Sequence, residues 1–269
     1  MKKLKFIFLS IVLIIGVFSL SACNFLGNRN STTVDRAWAD NEILTYNIYE
    51  EDNKIGNLTM DLTSNLTEQE KNDNKDADSK LTTNLVTTNQ TINTVYYIKR
   101  YTVLSYTKQY TDLKDSKNNY TINAKHKGQE FSYTLTYPND SSKNKTNTLK
   151  TKAAYSDGEF MYYYVRCFST TTSFDVANPL TDSVVTLSTT GLKAATIKTD
   201  FVDFGSVACT GYSFSLNGTP SGSNIFVYYT PVATDYTRSI SASILSSVKF
   251  PATIFENTYK YVLSGVTLY

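Results

Sequence analysis

The chain is patterned on a period of two. In 43–49, Leu44, Tyr46 and Ile48 share one face while Thr45 and Asn47 take the other, the signature of a half-buried strand. Glu50, Glu51, Asp52 and Asn53 supply turn chemistry, and Leu58, Met60 and Leu62 then alternate again, which predicts a hairpin with one dry side. The cleanest stretch is 129–137, where Phe131, Tyr133, Leu135 and Tyr137 interleave with Ser132, Thr134 and Thr136. Similar signals predict strands at 81–86, 94–107, 120–124, 184–188, 194–201, 207–216, 225–230, 239–247 and 259–268. Asn217-Gly218 and Ser221-Gly222 punctuate them. Strand after strand with one apolar face and short polar turns predicts an antiparallel sheet rather than βαβ units.

Three segments depart from alternation. Residues 64–79 carry a dense run of Glu, Asp, Lys and Asn with almost nothing to bury, and read as a solvated loop at a hairpin tip. Residues 139–147 form a second polar loop. In 156–168, Ser156 and Glu159 have the spacing of a capping box. Phe160, Tyr163, Tyr164, Cys167 and Phe168 would then share one helical face. The expected fold is mainly β: a curved antiparallel sheet or half-open β-barrel, with one short helix on its concave side.

The first residues obey a different rule. Lys2, Lys3 and Lys5 precede an apolar run from Phe6 to Leu20, and Leu20-Ser21-Ala22-Cys23 follows. Basic flank, apolar stretch and small residues before a cysteine resemble the signal peptide and lipobox of bacterial lipoproteins. The resemblance implies that the leader is removed and that Cys23 carries lipid such as palmitate. A membrane-spanning anchor is the competing reading, but the run is 15 residues long where a spanning helix needs roughly 20. The expected organisation is a leader at 1–22, a lipidated tether at 23–40 and a single β-rich ectodomain at 41–269. The expected location is the extracytoplasmic face of the cell membrane.

Charge is close to balanced, 26 Lys and Arg against 24 Asp and Glu, so nucleic acid is not an expected partner. Aromatic content is 13%, with 21 Tyr, 14 Phe and one Trp, and that tyrosine bias favours pleated strands. With Cys23 assigned to lipid, Cys167 and Cys209 remain, and they read as two buried thiols rather than a bridge. His126, the one histidine, sits between Lys125 and Lys127 and reads as a solvated turn residue. No residue is expected to be catalytic, none to bind metal, and no cofactor is implied. The most distinctive charges are Arg100, beside Tyr96 and Tyr97, and Arg166, beside Tyr163 and Tyr164. A guanidinium stacked on tyrosines suits an anionic or sugar ligand, so these six residues form the candidate ligand-binding cluster.

The order of signals also resembles a family of exported bacterial domains of unknown function, related in shape to lipoprotein-carrier half-barrels. The resemblance rests on Glu42-Ile43-Leu44-Thr45-Tyr46, on Lys54-Ile55-Gly56-Asn57, on Asp157 through Arg166, and on Gly205-Ser206-Val207-Ala208-Cys209. It implies a fold and no assigned chemistry. The leading expectation is a non-enzymatic envelope binding protein for an amphipathic ligand, a lipid or lipid-linked glycan. A structural or adhesive surface protein and an envelope glycan hydrolase are the alternatives.

Overall fold

Because most connections between strands are short, most consecutive strands lie side by side and the chain is laid down largely as a meander. The computed structural model describes residues 41–100, 102–152, 155–156, 160, 163, 166, 173–191, 194–232, 236–246 and 259–268. The leader and tether expected at 1–40 lie outside them. Eight strands run in sequence from β1 (Asn41–Glu50) through β2 (Asn53–Thr63), β3 (Ser79–Thr87) and β4 (Gln90–Lys99). They continue through β5 (Thr102–Asp112), β6 (Tyr120–Lys127) and β7 (Glu130–Thr136) to β8 (Lys145–Lys150). The second half comprises β9 (Tyr155–Ser156), β10 (Ser173–Asn178), β11 (Ser183–Gly191) and β12 (Ala195–Lys198). After these come β13 (Ser206–Leu216), β14 (Thr219–Val232), β15 (Tyr236–Ser246) and β16 (Tyr259–Leu268).

The sheet starts from its middle. β1 pairs with β2 on one side and with β16 on the other. From there the order runs outward to β8 in one direction and back through β15, β14, β13, β11 and β10 to β9 in the other, with β12 attached to β13. The pairings are antiparallel except β9 with β10, which is parallel. The path has two ends and does not close. At the gap, side chains replace a ladder. Asp182, in the turn after β10, accepts bonds from the Tyr133 hydroxyl at 2.6 Å and from Asn147 Nδ2 at 2.8 Å. Asp175 accepts one from the Lys152 backbone N–H at 2.8 Å.

Alternation decides what the sheet encloses. One interior row crosses seven strands as Glu42, Leu62, Leu81, Tyr96, Tyr106, Ala124 and Tyr133, all buried. Gly56 marks a tight approach between strands: a Cβ there would lie 2.0 Å from the Val86 carbonyl oxygen, so no larger residue fits.

The structure revises four local expectations. The signal at 94–107 is two strands, because the chain reverses between Lys99 and Thr102 with Arg100 in the left-handed region at φ 56°. The polar run at 64–79 contains a helix, α1 (Glu68–Asp73). Thr67 caps its third N–H while Glu70 Oε2 accepts from the Thr67 N–H at 2.8 Å. Ser156 belongs to a strand rather than a cap, and Glu159 lies outside the described residues, but Phe160 and Tyr163 are helical and buried. His126 is a strand residue of β6, facing inward. Burial holds its pKa below the ordinary value, and its Nε2 lies 3.0 Å from Thr151 Oγ1.

The helix α1 is bound to the sheet through Glu70, which accepts from Lys80 Nζ at 2.6 Å. The Lys80 bond, followed by the Thr67 backbone bond, lowers the Glu70 pKa from 4.5 to about 2. A carboxylate depressed in the folded state adds stability above its unfolded pKa and loses it as pH falls through the folded one. The contribution of Glu70 is therefore full above about pH 4.5 and declines towards pH 2. Thr67→Ala should cost ~1 kcal/mol, the usual worth of an N-cap, read as a lower urea midpoint at pH 7. Glu70→Gln should flatten the acid limb of the stability profile over the same window.

Candidate functional site

Glu42, the second residue of β1, has the same parity as Leu44, Tyr46 and Ile48, so the strand's own alternation carries a carboxylate into the interior. A buried charge is tolerated only when paired and hydrogen-bonded. Arg166 answers it: Nη1 lies 2.5 Å from Glu42 Oε1 and Nη2 lies 3.2 Å from Oε2, a forked contact with both side chains fully buried. The Tyr163 hydroxyl donates to the same Oε1, and the Arg166 guanidinium stacks 4.4 Å from the Tyr163 ring centroid. Burial alone would lower the Arg166 pKa, but Glu42, together with Tyr163 and Tyr46, more than offsets it and the net direction is upward. The Tyr163 hydroxyl is pushed well above its ordinary range, first by burial and then by the Glu42 charge. It therefore stays protonated and donates.

From this triad an aromatic chain runs through the interior. Ring centroids are 6.4 Å apart for Tyr163 and Phe160, 5.7 Å for Phe160 and Tyr96, and 5.5 Å for Tyr96 and Tyr106. Phe131 follows at 6.2 Å from Tyr106, and Tyr133 at 5.9 Å from Phe131. These distances are those of rings packed on one another. Lys108, also buried, places its Nζ 5.9 Å from the Tyr106 centroid.

Of the six residues of the expected tyrosine and arginine cluster, the five described are divided between the interior and the outside of the sheet. Tyr96, Tyr163 and Arg166 are buried inside the sheet, with Tyr96 joined to Tyr163 through Phe160. Tyr97 follows Tyr96 on a strand and so points to the opposite face, its hydroxyl 3.4 Å from Glu70 Oε1. Arg100 is exposed at the β4–β5 turn, with its backbone N–H bonded to Asp78 Oδ2 at 2.8 Å. Tyr164 lies outside the described residues. Arg166, a candidate ligand contact, holds Glu42.

A concavity that the sequence did not single out lies on the outer face of β5–β8, a groove of about 490 Å³. Cross-strand register builds its floor. One row runs from Tyr97 through Ser105, Lys125 and Ser132 to Thr148. The next runs through Thr107, Asn123 and Thr134 to Thr146. Asp73 and Asn74, at the end of α1, form a rim, and Asn74 Oδ1 accepts from the Ser105 hydroxyl at 2.7 Å. Bonds between rows' members hold the floor in place: Thr107 to Asn123 at 2.9 Å, Ser132 to Thr148 at 2.9 Å, and Thr134 to Thr146 at 3.3 Å. Asp73 and Lys125 are the two charged residues among those lining the groove.

Cys209 is a free, buried thiol beside Val207, with its pKa raised by burial to about 11. Cys167 and Cys23 lie outside the described residues. Among the described residues no three metal-ligating side chains converge.

No known protein-family model matches this chain, and neither does any curated protein. Among solved structures it is similar to a β-barrel-like protein of the domain of unknown function DUF1849 from Brucella abortus. The identity there is 13%, covering 88% of this chain and 99% of that one, with a TM-score of 0.52. It also matches a candidate exported protein with a YmcC-like fold from Bacteroides fragilis. That match has 7% identity over 88% of this chain and 100% of that one, and a TM-score of 0.27. A third, a candidate lipoprotein from Parabacteroides distasonis, has 10% identity over 89% of this chain and 100% of that one, with a TM-score of 0.29. The first of these likenesses is one of fold: a β-barrel-like sheet.

Removing either partner of a buried ion pair strands the other charge, at a cost of about 3–5 kcal/mol. Arg166→Met and Glu42→Leu should each destabilise by that order in denaturant titration. The double variant should recover much of the loss, because no charge is then left buried.

Proposed function

We propose that this chain is a lipid-anchored, non-enzymatic binding protein of the bacterial cell envelope, which meets its ligand on the outer groove rather than inside the sheet. The anchor is the lipid on Cys23, at the extracytoplasmic face of the membrane. The observation that carries the reading is the state of the described interior. Its tyrosines and phenylalanines pack on one another and its buried guanidinium is engaged by Glu42. The groove, by contrast, is an open concavity with polar side chains fixed by one another, and its size falls within the range of small-molecule sites, about 300–1,000 Å³. Of the amphipathic ligands considered, this favours the polar part of a lipid-linked glycan over an acyl chain. Against the hydrolase alternative, glycoside hydrolysis takes a pair of carboxylates, and Asp73 is the one carboxylate among the residues lining the groove. The packed interior also favours a structural or adhesive role acting through surfaces, the second reading.

Two measurements test it. Cys23→Ala should move the protein out of the detergent phase on phase partitioning, because the lipid is the anchor; unchanged partitioning would make the 6–20 run the anchor. Native mass spectrometry of the full-length protein extracted from its own membranes should show a glycan-containing adduct that a Thr134→Val variant loses. An adduct of acyl chains alone, insensitive to Thr134→Val, would return the ligand to the interior and overturn the reading.

A further inference from the structure

We infer that the groove on β5–β8 is a subsite for an uncharged oligosaccharide, with Tyr97 as the platform on which a sugar ring lies. This rests on the reading above and narrows it to a ligand class. Three features of the groove choose that class. Its floor is made of hydroxyl and amide side chains, groups that donate and accept with equal ease. A sugar presents the same mixture along its length. Adjacent strands set successive members of a row about 4.8 Å apart, so Ser105, Lys125, Ser132 and Thr148 offer a regular ladder of polar groups across the sheet.

The electrostatics exclude the charged alternatives. A polyanion is held by several cations, and one lysine, Lys125, faces the groove against one aspartate, Asp73. An added peptide strand pairs along a sheet edge, whereas Ser105, Thr107, Asn123, Lys125, Ser132 and Thr134 lie on the face of strands whose backbone bonds are already made on both sides. An acyl chain would desolvate hydroxyls without replacing their bonds, a net cost.

Tyr97 and α1 supply the asymmetry that a bare sheet face lacks. Tyr97 is half-buried, directly opposite Ser105 in the ladder, and its hydroxyl is placed by Glu70. Tyrosine offers an apolar ring face with a polar tip, the complement of a pyranose with its C–H face and hydroxyl rim. Asn74 beside it fixes Ser105. The floor is pre-organised by the bonds from Thr107 to Asn123, Ser132 to Thr148 and Thr134 to Thr146, so little side-chain freedom is lost on binding.

The test uses the full-length lipoprotein in detergent, titrated calorimetrically with neutral hexasaccharides of N-acetylglucosamine, glucose and mannose. Polygalacturonate serves as an anionic comparison and phosphatidylglycerol vesicles as a lipid one. At least one neutral hexasaccharide should bind in preference to both. Tyr97→Ala and Thr134→Val should each weaken it, Tyr97→Ala by about tenfold as for a central aromatic contact. Asn57→Ala, on the outer face of β2 away from the groove, should leave it unchanged, and circular dichroism should show all three variants folded. Equal loss in Asn57→Ala, or tighter binding of polygalacturonate or vesicles, would overturn the inference. If no hexasaccharide binds while the native adduct is still lost in Thr134→Val, the ligand class is wrong and the groove reading stands. If neither binds at the groove, both fall.

Discussion

The buried contact between Glu42 and Arg166 is the constraint on which the interior is organised. A carboxylate at the first interior position of the central strand is a liability unless a cation reaches it, and the cation comes from a segment 124 residues further on. That segment brings Tyr163 and Phe160 with it. Their rings join Tyr96, Tyr106 and Phe131 into one packed column. Charge pairing therefore fixes where the helical residues lie, and aromatic packing adds the burial of their rings. Replacing the pair with apolar residues of similar volume need not weaken such a core. Its worth lies in position: one arrangement satisfies both charges.

The same pair explains why the interior is a core in the described residues. A guanidinium with both Nη atoms bonded and its face stacked on Tyr163 has little left to offer a ligand. The outward-facing residues of β5–β8 are in the opposite situation. Their mutual bonds hold them in place while solvent-facing lone pairs and protons remain. Fold similarity to the Brucella abortus barrel-like protein extends over nearly all of that chain.

Much of the fold was legible in the chain. Period-two alternation marked β1, β2, β3, β6 and β7 because each has one wet and one dry face. β10 escaped notice for the converse reason: Phe174, Asp175, Val176 and Ala177 are all buried, so its pattern does not alternate. The β4–β5 hairpin carries no Asn-Gly or Asp-Gly; its positive φ falls on Arg100, a residue that gives no turn signal. The helix α1 was signalled by Thr67 and Glu70 at capping-box spacing, but the surrounding charge masked it. For the site, a carboxylate at dry-face parity in β1 was a visible sign that Glu42 needed a partner. Which arginine answered was not visible, because pairing over such separation is set by the assembled fold. The groove was hidden for a simpler reason: its lining comes mainly from the wet faces of five strands, β4 to β8, each ordinary alone.

The position of β1 has a consequence in time. It lies between β2 and β16, so one edge is paired by its immediate successor and the other by the last strand described. A chain emerging in order can build the meander from β1 to β8 as it appears. It cannot cover the second edge of β1 until β16 is out, and non-local pairings of this kind are what slow folding. Through that interval β1 presents an open ladder, the state most apt to pair with a stranger. Fidelity of folding for this protein is thus a race between delivery of its last strand and any other strand that reaches the first.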